Sequence, residues 1–235
     1  MEQAREWLRQ AESVVALTGA GVSAESGIPT FRGAGGLWRN YRPEDLATPQ
    51  AFARDPRLVR EWYEWRRDLI ANAQPNPAHI ALAELERRTP RFALVTQNVD
   101  DLHERAGSRR VLKLHGDIAT ERCQRCGREQ PRVRSVELPQ CGCGGLLRPA
   151  VVWFGEALPA EVWRRAEEAV AAAQVVLVVG TSAVVYPAAS LVPAAVEAGA
   201  RVIEVNLEET PFSAGVSVSL RGKAGEILPQ VLELE

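Results

Sequence analysis

Five short apolar runs restrict the architecture of this chain more than any other feature. They are VVALTGAG from Val14, FALVTQ (92–97), VLKL (111–114), VVLVVG (175–180) and VIEVN (202–206). None alternates strictly between apolar and polar residues, as a strand with one wet face would, so they fit parallel strands covered on both sides. Segments of helical period separate several of them, which predicts an α/β fold built on a Rossmann-like, doubly wound parallel sheet. Asp55-Pro56 opens one such helix, with apolar positions from Leu58 to Ile70. Asn76-Pro77 opens another, AHIALAELERR, which stops before Thr89-Pro90.

Two segments interrupt this alternation. Residues 118–150 are rich in Cys, Arg, Gly and Pro, with too little apolar periodicity to build a core alone. Residues 32–75 are helical and tryptophan-rich. The expected organisation is therefore a discontinuous main domain over 1–31, 76–117 and 151–235 that carries the parallel sheet, a small helical module over 32–75, and a metal-held module over 118–150.

A chain of 235 residues buries roughly 70–75% of its unfolded surface and needs no covalent staples. Its 46% hydrophobic and 25% charged residues are those of a soluble globular protein. The net charge of -2 argues against direct nucleic-acid binding, which shows as a basic excess. MEQAREWLRQAES lacks an apolar h-region, so no signal peptide is expected. Residues 169–196 carry no formal charge, but Gly180, Thr181, Ser182, Pro187 and Pro193 break the stretch. It reads as a buried strand between helices, and no membrane association is expected. The four cysteines cluster at 123–143, which fits a cytoplasmic metal site better than a secreted disulfide framework.

GAGVSAESG (19–27) follows the first strand and matches GxGxxA through Gly19, Gly21 and Ala24. Such a turn lets the backbone approach a pyrophosphate and offers free N–H groups, although a ligand-free glycine turn shares the pattern. The acidic residue of a dehydrogenase fingerprint, about 20 positions on, is not evident. QNVD (97–100), GTS (180–182) and Asn206 sit at strand ends, the edge where open α/β sheets bind ligands. Any one of these could be a solvated loop start; three converging with the glycine turn point to a nucleotide crevice. His115, in LKLHGD, is the only histidine that such a crevice places beside a ligand, with a structural role as its alternative. Capping or packing accounts for His79 and His103. CQRC and CGC supply Cys123, Cys126, Cys141 and Cys143, a four-thiolate set suited to tetrahedral Zn²⁺ with no position left for substrate. Such a site is structural.

Together these pieces resemble the sirtuins, NAD-dependent protein lysine deacylases. The matching residues are GAGVSAESGIPTFRG (19–33), PNPAHIALAELE (75–86), TQNVDDLHERAG (96–107), LHG (114–116), the four cysteines, VVWFGE (151–156), GTS and VIEVN. The resemblance implies that NAD and an acyl-lysine peptide enter a cleft between a Rossmann-type domain and the smaller modules. It assigns Gly19, Ala20, Gly21, Ala24, Phe31, Arg32 and Trp38 to the pyrophosphate and nicotinamide-ribose end. Gln97, Asn98 and Asp100 would line the nicotinamide-ribose pocket, the last two helping to position cofactor or water. Gly180, Thr181, Ser182, Asn206, Glu208 and Ala224 would contact the adenosine half. Val152, Trp153, Phe154, Gly155 and Glu156 would pair with the substrate peptide as an added strand.

The chemistry so implied consumes NAD as a co-substrate. The acyl oxygen attacks the ribose carbon as nicotinamide leaves, and His115 serves as general base on the ribose hydroxyls. Free lysine and O-acyl-ADP-ribose result. A dehydrogenase would leave the cysteines and TQNVDD unexplained, and a non-catalytic NAD or DNA module would not need His115. Protein ADP-ribosylation stays open as a side activity.

The stretch 33–49 also resembles the sirtuin branch with a widened acyl pocket. Ala47 stands where bulkier residues are common, and Tyr63-Glu64-Trp65-Arg66 matches that branch's Tyr-x-x-Arg pair. Residues at i and i+3 share a helix face, so a phenol and a guanidinium there would replace the hydration of an acyl carboxylate with charge-assisted hydrogen bonds. Succinyl, malonyl or glutaryl lysine, with acetyl-lysine alongside, are the expected substrates. The alternative is an exposed Arg66 stacked on Trp62.

Overall fold

The computed structural model describes residues 1–31, 36–37, 40, 42–135 and 137–234. Two residues expected at the cofactor, Arg32 and Trp38, lie outside them. The expected parallel sheet is present and six-stranded. Its strands are β1 (Ser13–Thr18), β2 (Arg91–Thr96), β3 (Val111–Lys113), β7 (Val175–Val179), β8 (Arg201–Asn206) and β9 (Val218–Arg221), in the order β3-β2-β1-β7-β8-β9. Every pairing in it is parallel. The order reverses between β1 and β7, as doubly wound sheets do at their switch point.

The apolar runs lack alternation because both faces are covered. Val14 and Ala16 of β1, with Val175, Leu177 and Val179 of β7, pack beneath α1 (Glu2–Gln10), α6 (Pro77–Arg88) and α10 (Ala224–Val231). Val15 and Leu17, with Val176 and Val178, face α8 (Ala160–Ala171) and α9 (Leu191–Glu197) on the other side. Each central strand is thus buried at every position. The charge-free stretch 169–196 contains β7 and α9, and among the described residues no helix is long and apolar enough to cross a membrane.

The cysteine-bearing segment folds around a second, antiparallel sheet of β4 (Gly116–Cys123), β5 (Glu129–Pro131) and β6 (Leu147–Val151), ordered β5-β4-β6. Beside it lie α3 (Pro43–Leu46), α4 (Pro49–Arg54) and α5 (Pro56–Asn72). Asp55 caps α5 by accepting the Leu58 N–H at 3.0 Å, and Pro56 fills the first turn, where no internal donor is needed. Phe52, Val59, Trp62 and Tyr63 pack with Ile118, Val151 and Trp153 into a core shared by the helices and the small sheet.

Charge fixes α5 in register against β4. The fully buried Glu121 accepts from Arg60 at 3.0 Å and from Arg67 at 3.2 Å, both arginines being buried as well. Arg67 also donates to the Ile118 carbonyl at 2.6 Å, and Arg60 to the Val133 carbonyl at 2.6 Å. Half-buried Glu64 also pairs with Arg67 at 2.6 Å and with Arg60 at 3.6 Å, so losing Glu121 leaves the two arginines undercompensated rather than unpaired, at a cost of roughly 3 kcal/mol, the low end for breaking a buried ion pair. Glu121→Ala should therefore lower Tm by on the order of 10 °C in scanning calorimetry. An unchanged Tm would mean that the two arginines are compensated elsewhere.

Candidate active site

At the switch point the turn after β1 meets the turn after β7 backbone to backbone. Gly19 donates to the Val179 carbonyl at 3.1 Å and Gly21 to that of Gly180 at 2.8 Å. A Cβ on Gly21 would lie 2.7 Å from the Gly180 oxygen, while Gly180 has φ +58° and a Cβ there would meet the Val22 nitrogen at 2.5 Å. Neither position accepts a side chain. The helix that follows, α2 (Gly21–Ala24), is a single turn, much shorter than the usual nucleotide-binding helix.

From this contact a cavity of about 450 Å³ runs toward the small sheet. One end is lined by Gly19, Ala20, Gly21, Gly180, Thr181, Ser182, Asn206 and Glu208, and its middle by Gln97, Asn98 and His115. Ala24 and Ala224 line a second recess beside Asn206, together with Glu25 and Lys223. Gln97 donates to the Thr181 hydroxyl at 2.9 Å and Asn206 to the Thr181 carbonyl at 3.0 Å, so the three strand ends are tied to one another.

His115 follows β3 and leads into β4. Its Nδ1 lies 3.0 Å from the Gln97 carbonyl. A carbonyl only accepts, so Nδ1 carries the proton and neutral His115 keeps a free lone pair on Nε2. Burial lowers its pKa below the ordinary imidazole value, opposed by the bond to Gln97. His115 is therefore a neutral base at neutral pH, and it is the only one of the chain's three histidines that lines the cavity.

Asp100 does not line the cavity; it is buried behind it. Its Oδ2 accepts from the Ser23 hydroxyl at 3.1 Å and its Oδ1 from the Leu102 N–H at 3.1 Å. Desolvation raises its pKa despite both bonds. The Ser23 oxygen in turn accepts from Asn98 at 3.1 Å, and His79 Nε2 lies 3.4 Å away. Ser23 and His79 thus join the expected Asn98 and Asp100 in one buried polar cluster, although the sequence reading assigned no site role to either. His79 also does what the sequence implied, closing a capping box on α6 through its Nδ1. The motif GVSAES carries two serines, and nothing local distinguishes the one that turns inward.

The opposite end of the cavity is built from Phe31, Ala47, Trp62, Tyr63, Arg66 and the loop 151–156. The Phe154 N–H donates to the Ala47 carbonyl at 2.9 Å, and Trp153 Nε1 donates to the Tyr63 hydroxyl at 2.9 Å. Val152, Phe154, Gly155 and Glu156 also reach the cavity, and Phe154 is exposed. Arg66 is not the exposed arginine of the alternative reading: it is 6% exposed, with its guanidinium 4.6 Å from the Phe31 ring and 5.2 Å from the Trp62 ring. Burial pulls its pKa down, while the nearby charge of Asp100 favours its ionised form. Burial also pushes the Tyr63 phenol up to about 12, so it is protonated throughout the physiological range.

The four cysteine sulfurs lie within 4.8 Å of one another, Cys123 to Cys143 at 3.5 Å and Cys126 to Cys141 at 3.8 Å. Four thiolates around a tetrahedral zinc at 2.3 Å stand about 3.8 Å apart, so the cluster fits one structural zinc. Its four positions are all protein ligands, and none of them lines the cavity.

Residues 19–187 match the Sir2 family. Over 229 residues the chain is 55% identical to NAD-dependent protein deacylase 2 of Pyrobaculum aerophilum, covering 96% of this chain and 92% of that one. It is equally identical to NAD-dependent protein deacylase 1 of Archaeoglobus fulgidus, covering 96% and 94% of the two chains. Among solved structures, a Sir2 homologue in complex with NAD superposes with a TM-score of 0.94 at 53% identity, covering 99% of this chain and 93% of that one. A Sir2–p53 peptide–NAD+ complex gives 0.89 at 34% identity, with 99% and 97% covered.

The buried histidines make stability pH-dependent. Desolvation holds His79 down to about 4, against roughly 6.5 in the unfolded chain. Between those values the unfolded state binds the extra proton, so stability is lost as pH falls from about 6.5 toward 4, on the order of 3 kcal/mol for this residue. Burial shifts His103 and His115 the same way. Between about pH 5 and 6 urea unfolding should take up protons, and His79→Asn should reduce the uptake by close to one. An unaltered slope would show that His79 is not held neutral.

Proposed function

The chain belongs to the Sir2 family and is an NAD-dependent protein deacylase, and we propose that the acyl groups it prefers end in a carboxylate: succinyl, malonyl or glutaryl, with acetyl as a poorer substrate. One observation carries this reading. Arg60, Arg66 and Arg67 are all buried on α5, yet only the outer two are ion-paired. Among the described residues Arg66 forms no ion pair and faces the cavity with aromatic rings on its flanks. A buried charge is expensive unless it is paired, and an acyl carboxylate would supply the missing partner. The Tyr63 phenol beside it, kept protonated by burial, adds a neutral donor to the same anion.

We assign NAD to the crevice above the six-stranded sheet, residues 1–31, 76–117 and 151–235. The acyl-lysine enters at its junction with 32–75 and 118–150. NAD supplies an electrophilic ribose carbon and is consumed with release of nicotinamide. The Gly19–Gly21 turn, bare of bulky side chains, lets the pyrophosphate approach the backbone closely, Thr181, Ser182 and Asn206 hold the adenosine half, and Glu208 and Ala224 border it. Asn98 and Asp100, braced by Ser23, orient the nicotinamide ribose. Nε2 of His115, with Nδ1 committed to Gln97, takes the proton from a ribose hydroxyl. The loop Val152–Glu156 receives the substrate backbone as an added strand.

His115→Ala should abolish deacylation, measured as nicotinamide release with acylated peptide, while circular dichroism stays native. Turnover within a few-fold of the parent enzyme would remove His115 from the chemistry. On one peptide bearing acetyl, succinyl, malonyl or glutaryl lysine, Arg66→Met should depress kcat/KM for the dicarboxylic acyl groups about 10- to 100-fold relative to acetyl, the value of a charged hydrogen bond. An equal loss on acetyl and succinyl would dispose of the anion clamp.

A further inference from the structure

Tyr63 can serve a carboxylate only if its hydroxyl points its proton at the ligand, and a phenol rotates freely between donating and accepting unless something fixes it. The structure contains such a fixture. Trp153 Nε1, a donor with no acceptor capacity, lies 2.9 Å from the Tyr63 oxygen, and both side chains are buried. The indole therefore occupies a lone pair of Tyr63. Among the described residues the phenol's own proton has no acceptor, and the group lines the cavity beside Arg66.

The indole is itself held on several sides. The buried guanidinium of Arg148 lies 3.8 Å from the centre of its ring. Arg148 donates to Glu156 at 2.6 Å, and Glu156 also accepts the backbone N–H of Trp153 at 2.9 Å and a bond from Arg122 at 3.5 Å. Phe52 packs at 5.5 Å, ring centre to ring centre, and Trp62 meets the Tyr63 ring edge-on at 4.8 Å. The cation over the indole face draws density from the ring and strengthens its N–H as a donor to Tyr63, while Glu156, accepting from Arg148 and from the Trp153 backbone, fixes the residue in place. Burial of an indole would need none of this geometry.

We infer that Trp153 is a positioning residue for acyl selectivity: its indole N–H holds the Tyr63 hydroxyl as an acceptor, so that the phenol presents only its proton to the acyl terminus. The inference rests on the carboxylate-binding reading of Tyr63 and Arg66 and goes beyond the backbone role expected of the 151–156 loop. In this setting both members of the pair present donors to the acyl terminus, the guanidinium N–H groups of Arg66 and the one O–H of Tyr63. A carboxylate, which only accepts, matches it; an acyl terminus that must donate does not.

The test compares acetyl and succinyl peptides with NAD on the full-length chain. Two replacements are made at position 153: Trp153→Phe, and β-(3-benzothienyl)alanine, which keeps the indole shape with sulfur in place of N–H. Each is combined with Tyr63→Phe. Loss of one neutral hydrogen bond is worth about 3- to 10-fold. The benzothienyl replacement should raise KM for succinyl by that factor relative to KM for acetyl, with kcat on succinyl changing less. In the Tyr63→Phe background it should shift the ratio no further. Two results would overturn the inference while leaving the carboxylate reading intact. The ratio could stay put on benzothienyl replacement although Tyr63→Phe lowers it, or the effect could persist undiminished without the phenol. If Tyr63→Phe itself leaves the ratio unchanged, the carboxylate role of Tyr63 fails, and the inference fails with it.

Discussion

The contact between two glycine turns at the sheet's switch point sets the position of everything else in the site. Gly21 and Gly180 sit against each other closely enough that neither can carry a Cβ. Their strands, β1 and β7, are neighbours whose following helices pass to opposite faces of the sheet. The chain therefore diverges above this contact and opens a crevice floored by the two glycine turns. Gln97 and Asn206, at the ends of the flanking strands β2 and β8, are both bonded to Thr181 beside the same turn. The crevice is consequently a rigid frame, fixed by backbone geometry before any ligand enters.

The other half of the cavity depends on charge. Helix α5 shares an apolar core with Ile118 of β4, and its register on that strand is held by Glu121, buried between Arg60 and Arg67. That carboxylate lies two residues before the first cysteine of the sulfur cluster and five after Gly116, the residue following His115. One strand thus links the base, the anchor of α5 and the metal-ligating set. The same helix presents Tyr63 and Arg66 to the cavity, so the position of this pair is inherited from a strand that starts next to His115. Burying two arginines to orient a third costs stability in desolvation; it holds the third, Arg66, at the cavity wall.

Much of this was legible in the sequence, for a physical reason. Strands buried on both faces must be continuously apolar, so β1, β2, β7 and β8 announce themselves, and glycines that touch backbone fall at their ends. β9 was missed because VSLR is short and half-exposed at the sheet edge. The small sheet was missed because β5 and much of β4 are polar, their burial coming from neighbours distant in sequence. For the same reason Arg60, Arg67 and Glu121 read as ordinary surface charges, and Ser23 as one of two serines in a loop. Polar residues acquire such roles only through tertiary contact, whereas a spacing such as CxxC or Tyr-x-x-Arg carries its geometry locally.

That difference bears on how specificity can be read within one fold. Tyr63 and Arg66 are one turn apart and visible as a pair, but visibility does not make a donor of a phenol. Its direction is set across the cavity by Trp153, 90 residues away in sequence, and Trp153 is oriented by Arg148 and Glu156 from the small sheet and its following loop. A chain with the same Tyr-x-x-Arg pair and no indole opposite would have a hydroxyl free to accept as well as donate. It would discriminate less sharply between an anionic acyl end and a neutral polar one. If the pair binds an acyl carboxylate as proposed, selectivity is a property of two facing segments, the helix that supplies the groups and the loop that decides which way their protons point.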